Sequence, residues 1–491
     1  MPPKSNSIKI CFVASEVAPL SKTGGLADVS GALPRQLRAQ GHDIRIVTPL
    51  HAGIDRTRLT LKSVSEVTDV SVLLGALEYK FSLLSAPLPG SDVPIYLVDC
   101  PAVFNRATIY TNGQDEHLRF LLLQFAALET CQRLKFAPDI LHCNDWHTAL
   151  LPLLMKTAYG WDKLFAQTKS LLSIHNIGYQ GEFSSSTLAH AKLTEHATLV
   201  DPQDLTKGTI NWLKEGVRHA SRVSTVSPTY AREICEPIGG HGLDGALRLR
   251  GDSIAGILNG VDYGDWNPAT DALLPHRYEP TDLSGKQAVK LALLRRMQLS
   301  IGERSPVLGI VSRLTPQKGF DLLFDALPEI LQQREFGLCI LGSGDARYEE
   351  FFARLAKTFP ERVGFQQGYN ETLAHWIEAG SDIFLMPSMY EPCGLNQMYS
   401  LKYGTVPIVR RTGGLADSVQ MWDATTRTGN GIVFNDFDIQ AIRWAIHTAL
   451  DIFKDRAAWA KLVQNGMAMN FSWEKQAGEY VELYREMMAK K

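Results

Sequence analysis

The sequence predicts an α/β protein built as two doubly wound domains. Three observations predict it. Short apolar, β-branched runs alternate with longer helical stretches along the whole chain, which implies parallel sheets covered on both faces. Eleven such runs are many for one sheet. The hexapeptide Thr-Gly-Gly-Leu-Ala-Asp occurs at Thr23–Asp28 and again at Thr412–Asp417, once in each half, either as an echo of a shared plan or as convergence on one strand-to-helix turn.

In the first half, Ile8–Ala14, Ile44–Thr48, Ile95–Val98, Ile140–Cys143, Leu171–His175 and Val223–Val226 read as buried strands. Val307–Ser312, Gly337–Leu341, Ile383–Met386, Pro407–Val409 and Ile432–Phe434 continue the pattern. The polar, Pro-containing stretch from Asp262 to about Ser305 has no strand signal and is the expected connection, and a helix over Trp473–Met488 follows the last strand. A chain of 491 residues is too long for one core, since domains average roughly 150 residues.

Composition excludes several classes. Fifty basic against 52 acidic residues leave a net charge of -2, whereas nucleic acid or an anionic membrane would select a basic excess. The longest apolar stretches, Ala149–Met155 and Phe120–Leu128, fall short of the ~18 residues a bilayer span needs. No signal-peptide core or transit segment precedes the first strand, so a cytoplasmic location is expected, or a plastid one if a transit peptide was removed. Seven scattered cysteines without a C-x-x-C pair favour a reducing compartment over disulfides or zinc.

Ligands of open α/β sheets bind beyond the carboxyl ends of strands, and that rule ranks the polar residues. After the first strand, Glu16 and then Lys22-Thr23-Gly24-Gly25 lead into a helix. The glycines admit backbone N–H groups to an anion at the positive helix end, and Lys22 adds a mobile cation. The plainer reading is a glycine turn with a solvated Lys. Asn144-Asp145-Trp146-His147 and His175-Asn176-Ile177-Gly178 end two further strands and suit a hydroxyl-rich ligand, although a single His is more often structural. His142, Asp145 and His147 match no zinc spacing.

In the second half, Arg313 and Lys318 follow a strand and precede a helix, forming a second anion site. Glu391-Pro392-Cys393-Gly394-Leu395 follows another strand. Glu391 there is either a ligand carboxylate or a residue answering a helix dipole, and Cys393 reads as a packed thiol because no base adjoins it. The one Asp-x-Asp pair, Asp436 and Asp438, precedes a helical stretch and reads as N-capping. The sum is a diphosphate-containing ligand held in a cleft that both domains share.

Together these segments resemble the glycogen and starch synthases of glycosyltransferase family 5. The matching motifs are Lys22–Val29 (KTGGLADV), His142–His147, His175–Gly178, Asn259–Asp262 (NGVD), Ser312–Gly319 (SRLTPQKG), Tyr369–Glu371 and Glu391–Leu395 (EPCGL), in order over Ile8 to Trp473. The resemblance implies a GT-B fold, two Rossmann-like doubly wound domains facing across a cleft. The domains would be residues 1–260, completed by a C-terminal helix over 473–491, and residues 261–472. It implies transfer of glucose from ADP-glucose to the 4-OH at the non-reducing end of an α-1,4-glucan (glycogen, starch or a maltooligosaccharide), with retention of configuration. No cofactor or metal and no nucleic-acid or membrane partner is implied.

By that likeness Lys22, Gly24 and Gly25 meet the donor phosphates, and Arg313 and Lys318 stabilise the leaving diphosphate. Glu391 binds the donor glucose, the Cys393-Gly394-Leu395 backbone caps the phosphate, and His175 holds the sugar 6-OH. Asp145, Asn259 and Glu16 line the sugar and acceptor side, and Tyr369 packs on adenine. One departure stands out: many retaining GT-B enzymes carry a second Glu eight positions after the first, where this chain has Tyr399. The rivals are an epimerase or glucan phosphorylase on the same fold, or an inactive glucan-binding scaffold. A scaffold would need none of Lys22, Arg313, Lys318 and Glu391.

Overall fold

The computed structural model describes residues 7–489 except 112. The chain divides into two compact units. Unit 1 comprises the chain up to Val226, Ala231–Gly260 and the segment from Trp473 onward; unit 2 comprises Ser227–Tyr230 and Val261–Ser472.

Unit 1 is organised by a ten-stranded sheet. Its parallel part runs, in spatial order, Ile254–Gly256, Arg222–Thr225, Lys169–Ile174, Ile140–Asn144, Lys9–Val13, Asp43–Pro49 and Pro94–Asp99. Ile10 pairs with Ile44 on one side and Ile140 on the other, so Lys9–Val13 is central and all but its first residue are buried. Strand order reverses between Lys9–Val13 and Ile140–Asn144, the place where such sheets open a ligand crevice.

The C-terminal helix Trp473–Ala489 belongs to this unit. Trp473, Ala477, Tyr480, Tyr484 and Met487 recur at helical spacing, are buried, and join the core beside helix Gly25–Ala39. Tyr484 is tied to the sheet through its hydroxyl, 2.8 Å from His142 Nδ1.

Unit 2 carries a six-stranded, wholly parallel sheet in the order Val363–Gln367, Gly337–Gly344, Val307–Leu314, Ile383–Met386, Val406–Arg410, Ile432–Phe434. The reversal falls between Val307–Leu314 and Ile383–Met386. Each reversal therefore lies between two strands whose following loops carry the candidate residues.

Two expectations need correction. The parallel pattern is not complete: Leu77–Pro87 and Lys62–Ser63 add an antiparallel edge to unit 1, and Val70–Leu74 hairpins onto Leu77–Pro87 through Gly75 at a φ of 62°. The stretch from Asp262 to Ser305 is part of unit 2 rather than a plain connection. It contains helix Ser284–Arg296, and Tyr278 donates its hydroxyl hydrogen to Tyr403 O at 2.7 Å.

Candidate active site

In unit 1 the strand Lys9–Val13 leads through Glu16 to the loop Lys22–Gly25. Glu16 is 2% exposed, and its Oε2 accepts from Thr23 N at 2.6 Å and Thr23 Oγ1 at 2.8 Å. The carboxylate thus shapes the glycine turn; burial raises its pKa against those hydrogen bonds. Helix Gly25–Ala39 begins with Gly24 as N-cap and no side-chain cap, and a Cβ at Gly24 or Gly25 would meet nothing within 4 Å. First-turn N–H groups without a side-chain cap, on glycines that border open space, suit an anion. Lys22 is not the unattached cation the sequence suggests: its Nζ lies 2.6 Å from Asp28 Oδ1 in an exposed pair.

The neighbouring strand ends at Asn144 and Asp145. Asp145 has a φ of 54°, unusual for a residue with a Cβ. Its Oδ1 accepts from His175 N at 2.7 Å, joining two strand ends. Burial is the main influence on this carboxyl and lifts its pKa to about 7, the backbone N–H groups opposing.

Asn144 Nδ2 donates to Val13 O at 3.0 Å, which turns Oδ1 towards His175 Nε2 at 2.9 Å. His175 must then carry its proton on Nε2. Its Nδ1 is a buried acceptor with no partner among the described residues. Desolvation lowers the His175 pKa to about 4, so the ring is neutral at ordinary pH. Asn259 is buried at the end of the strand region Ile254–Gly256, and its Oδ1 is likewise without a partner among the described residues. Gly260 behind it is obligatory in size, since a Cβ would lie 2.6 Å from the Trp473 Cα. His142, by contrast, is wholly structural, bonded to Tyr484 and to Ser173 Oγ at 2.7 Å.

In unit 2 the loops after the two central strands are sewn together. Lys318 Nζ reaches Glu391 Oε2 at 2.6 Å, Ser388 Oγ donates to the same oxygen at 3.0 Å, and Met389 N donates to Gln317 O at 2.9 Å. Gly319, with a φ of 72°, permits this approach, because a Cβ there would sit 2.0 Å from Pro387 O. Glu391 is 5% exposed and lies outside the helix Asn396–Lys402, so it is held by Lys318 rather than by a helix dipole. Arg313, at the end of its strand, is exposed.

Gly394 has a φ of 72° and Leu395 starts the helix Asn396–Lys402 without a side-chain cap. Cys393 is buried, and its carbonyl lies against Gly414. Tyr369 is 74% exposed just beyond the edge strand Val363–Gln367. Tyr399 stacks on Trp266 with ring centroids 3.9 Å apart. Asp438 caps helix Ile439–Lys454 by accepting from Ala441 N at 2.8 Å. No group of three or more His, Cys, Asp or Glu among the described residues is placed to hold a metal ion.

The structure gives roles to residues to which the sequence assigns none of their own: Asn144, named only within its strand-end cluster, sets the His175 tautomer, Gln317 and Ser388 join the second loop pair, and Asp28 holds Lys22. Asn144, Gln317 and Asp28 each lie within a motif legible in the sequence; Ser388 carries no signal.

Comparisons with known proteins agree with this architecture. Residues 9–249 match the family described as starch synthase catalytic domain, and residues 295–465 match glycosyl transferases group 1. A glycogen synthase from Geotalea daltonii is 42% identical over 99% of this chain and all of its own length. One from Anaeromyxobacter dehalogenans is 44% identical over 98% of this chain and its own full length. Among solved structures, the catalytic domain of starch synthase IV from Arabidopsis thaliana, bound to ADP and acarbose, has a TM-score of 0.90 at 34% identity, covering 99% of this chain and all of that one. A sucrose-phosphate synthase from Thermosynechococcus elongatus, at 16% identity and a TM-score of 0.61, shares the fold.

Two doubly wound α/β units with cation- and glycine-bearing loops at their points of strand reversal define a GT-B glycosyltransferase. At this identity and coverage the assignment narrows further: the chain belongs to the glycogen and starch synthase family, whose enzymes elongate glucan by glycosyl transfer. No helix among the described residues is long and apolar enough to cross a membrane.

Proposed function

We propose that the chain transfers glucose from ADP-glucose to the 4-OH at the non-reducing end of an α-1,4-glucan, with retention of configuration and without a divalent metal. The observation that carries this reading is the Lys318–Glu391 pair at the strand reversal of unit 2, with Arg313 near the end of the strand that leads to Lys318 and an uncapped helix start at Leu395 after Glu391. Cations and uncapped N–H groups suit a diphosphate, and a carboxylate next to them suits sugar hydroxyls. The Arabidopsis relative, solved with ADP and acarbose, supports both ligand classes.

In this reading Arg313 and Lys318 meet the charge that grows on the diphosphate as the glycosidic bond breaks. Lys318 neutralises Glu391 before the donor arrives and then serves two anions. Lys22 exchanges its exposed Asp28 partner for phosphate at little cost, since such pairs contribute only about 0–1 kcal/mol. Neutral His175 accepts a sugar hydroxyl hydrogen at Nδ1, and Asn259 Oδ1 accepts another. Three cations and two helix starts supply the counter-charge that a metal would otherwise provide.

The test is nucleoside diphosphate release with glycogen, run with ADP-glucose and UDP-glucose side by side. Glucan-dependent ADP release exceeding UDP release supports the reading. Release with neither donor, or with UDP-glucose alone, contradicts it.

A further inference from the structure

Arg119 is a fully buried cation far along the sequence from every candidate residue, and its bonding is asymmetric in a telling way. Its side chain is 0% exposed. Nε donates to Val103 O at 2.9 Å, Nη2 to Ile109 O at 3.0 Å and Nη1 to Glu116 Oε2 at 2.7 Å. Glu116 in turn accepts from Thr111 N at 3.1 Å and from the Thr111 hydroxyl. The pair therefore grips residues 109 and 111, the two neighbours of Tyr110, which lies in an irregular stretch between helices Pro101–Phe104 and Glu116–Arg133.

Tyr110 is where this grip is delivered. Its ring stacks on His147 at 4.8 Å and 25°, and its hydroxyl lies 2.8 Å from Ser15 Oγ. Ser15 precedes Glu16, the residue that shapes the Lys22–Gly25 turn through Thr23. The Ser15 carbonyl is held from a further side by His51 Nε2 at 2.8 Å.

We propose that the buried Arg119–Glu116 pair is a positioning device for glucosyl transfer, bracketing Tyr110 so that its hydroxyl fixes Ser15 and, through Glu16, the glycine turn. A guanidinium is required because three acceptors in different directions must be met by one rigid fork, which an ammonium on a flexible stem does not reproduce. A surplus of buried polar bonds on so short a segment is otherwise expensive for a loop that needs only to close a chain. The proposal rests on the glucosyl-transfer reading above.

The experiment is a double-mutant cycle on the full chain with Arg119→Lys and Tyr110→Phe. It reads kcat/KM with ADP-glucose and glycogen, together with amide exchange of the peptide covering residues 105–111. Each single variant should lose about tenfold in kcat/KM, and the double variant should lose little more than either, because residues acting in series do not add. Exchange over 105–111 should accelerate in Arg119→Lys while Tyr110→Phe leaves it slow. Multiplying losses in the double variant, a Tyr110→Phe enzyme of wild-type activity, or an Arg119→Lys enzyme that is less stable yet fully active would each overturn the proposal. Should Arg119→Lys not fold, Thr111→Val removes the hydroxyl bond to Glu116 while keeping the backbone one, loosens that flank in part, and enters the same cycle with smaller losses of the same pattern. A wild-type chain that transfers no glucose would remove the underlying reading instead, while the exchange result would still report on the bracket.

Discussion

Asp145 and His175 lie on adjoining strand ends, and burial drives both towards neutrality from opposite sides. The Asp145 carboxyl, ordinarily near 3.8, titrates at about 7. The folded chain therefore holds a proton there that the unfolded chain releases above pH 3.8. The stability contributed by the protonated form is complete below that value and is lost as pH rises through about 7. Asp145→Asn keeps an acceptor for His175 N but cannot ionise. Its melting temperature relative to wild type should climb between about pH 4 and 7 and level off above that, and any wild-type inflection of kcat/KM near pH 7 should vanish. A difference in melting temperature that stays constant across that range would contradict the assignment. Lys22 is a second case. Its pair with Asp28 is exposed, so Lys22→Ala should leave the melting temperature nearly unchanged. Loss of a charge-assisted phosphate contact should remove about 1.5–3 kcal/mol, roughly ten- to a hundredfold in donor kcat/KM. Steady-state kinetics at varied ADP-glucose checks this.

At the scale of elements, the two copies of the hexapeptide perform different work. In the first, Gly24 and Gly25 have open space; in the second, Gly413 has a φ of 43° and a Cβ would lie 1.9 Å from Glu391 O, with Gly414 N donating to that same oxygen at 3.1 Å. The first glycine pair borders open space at an uncapped helix start; the second packs the backbone that carries Glu391. Gly25→Ala should change stability by less than about 1 kcal/mol while lowering donor kcat/KM. Gly413→Ala should cost more than about 3 kcal/mol, a drop in melting temperature of roughly 6–12 °C. Thermal melts of the two variants, read beside their kinetics, separate these roles. The same contrast explains what sequence can reveal. Strands buried on both faces, such as Lys9–Val13 and Ile140–Asn144, announce themselves as apolar runs. Val70–Leu74 does not, because it alternates inward Val70, Val72 and Leu74 with an exposed Leu73, and Val363–Gln367 hides behind a glycine and two glutamines. The candidate cations and glycines are legible because each sits in a short local motif. Their partners are not: Lys318 and Glu391 meet across 73 residues, and only the strand order brings them together.

For the molecule as a whole, both sheets reverse strand order where the candidate loops emerge, so chemistry is placed by topology rather than by any one element. If, as proposed, Lys22, Arg313 and Lys318 are the cations that meet the donor diphosphate, turnover should survive EDTA treatment and dialysis. Abolition by chelation, restored by Mg²⁺ or Mn²⁺, would show that the cations do not suffice. The measurement that tests the central claim most directly follows the glucose itself. Glycogen is incubated with the chain and ADP-glucose labelled in its sugar, freed of donor, and digested with β-amylase, which cleaves maltose from the non-reducing ends of α-1,4-glucan. Label released quantitatively as maltose is the predicted result. Label that stays in the polymer after exhaustive digestion, or that never leaves the nucleotide, would contradict it.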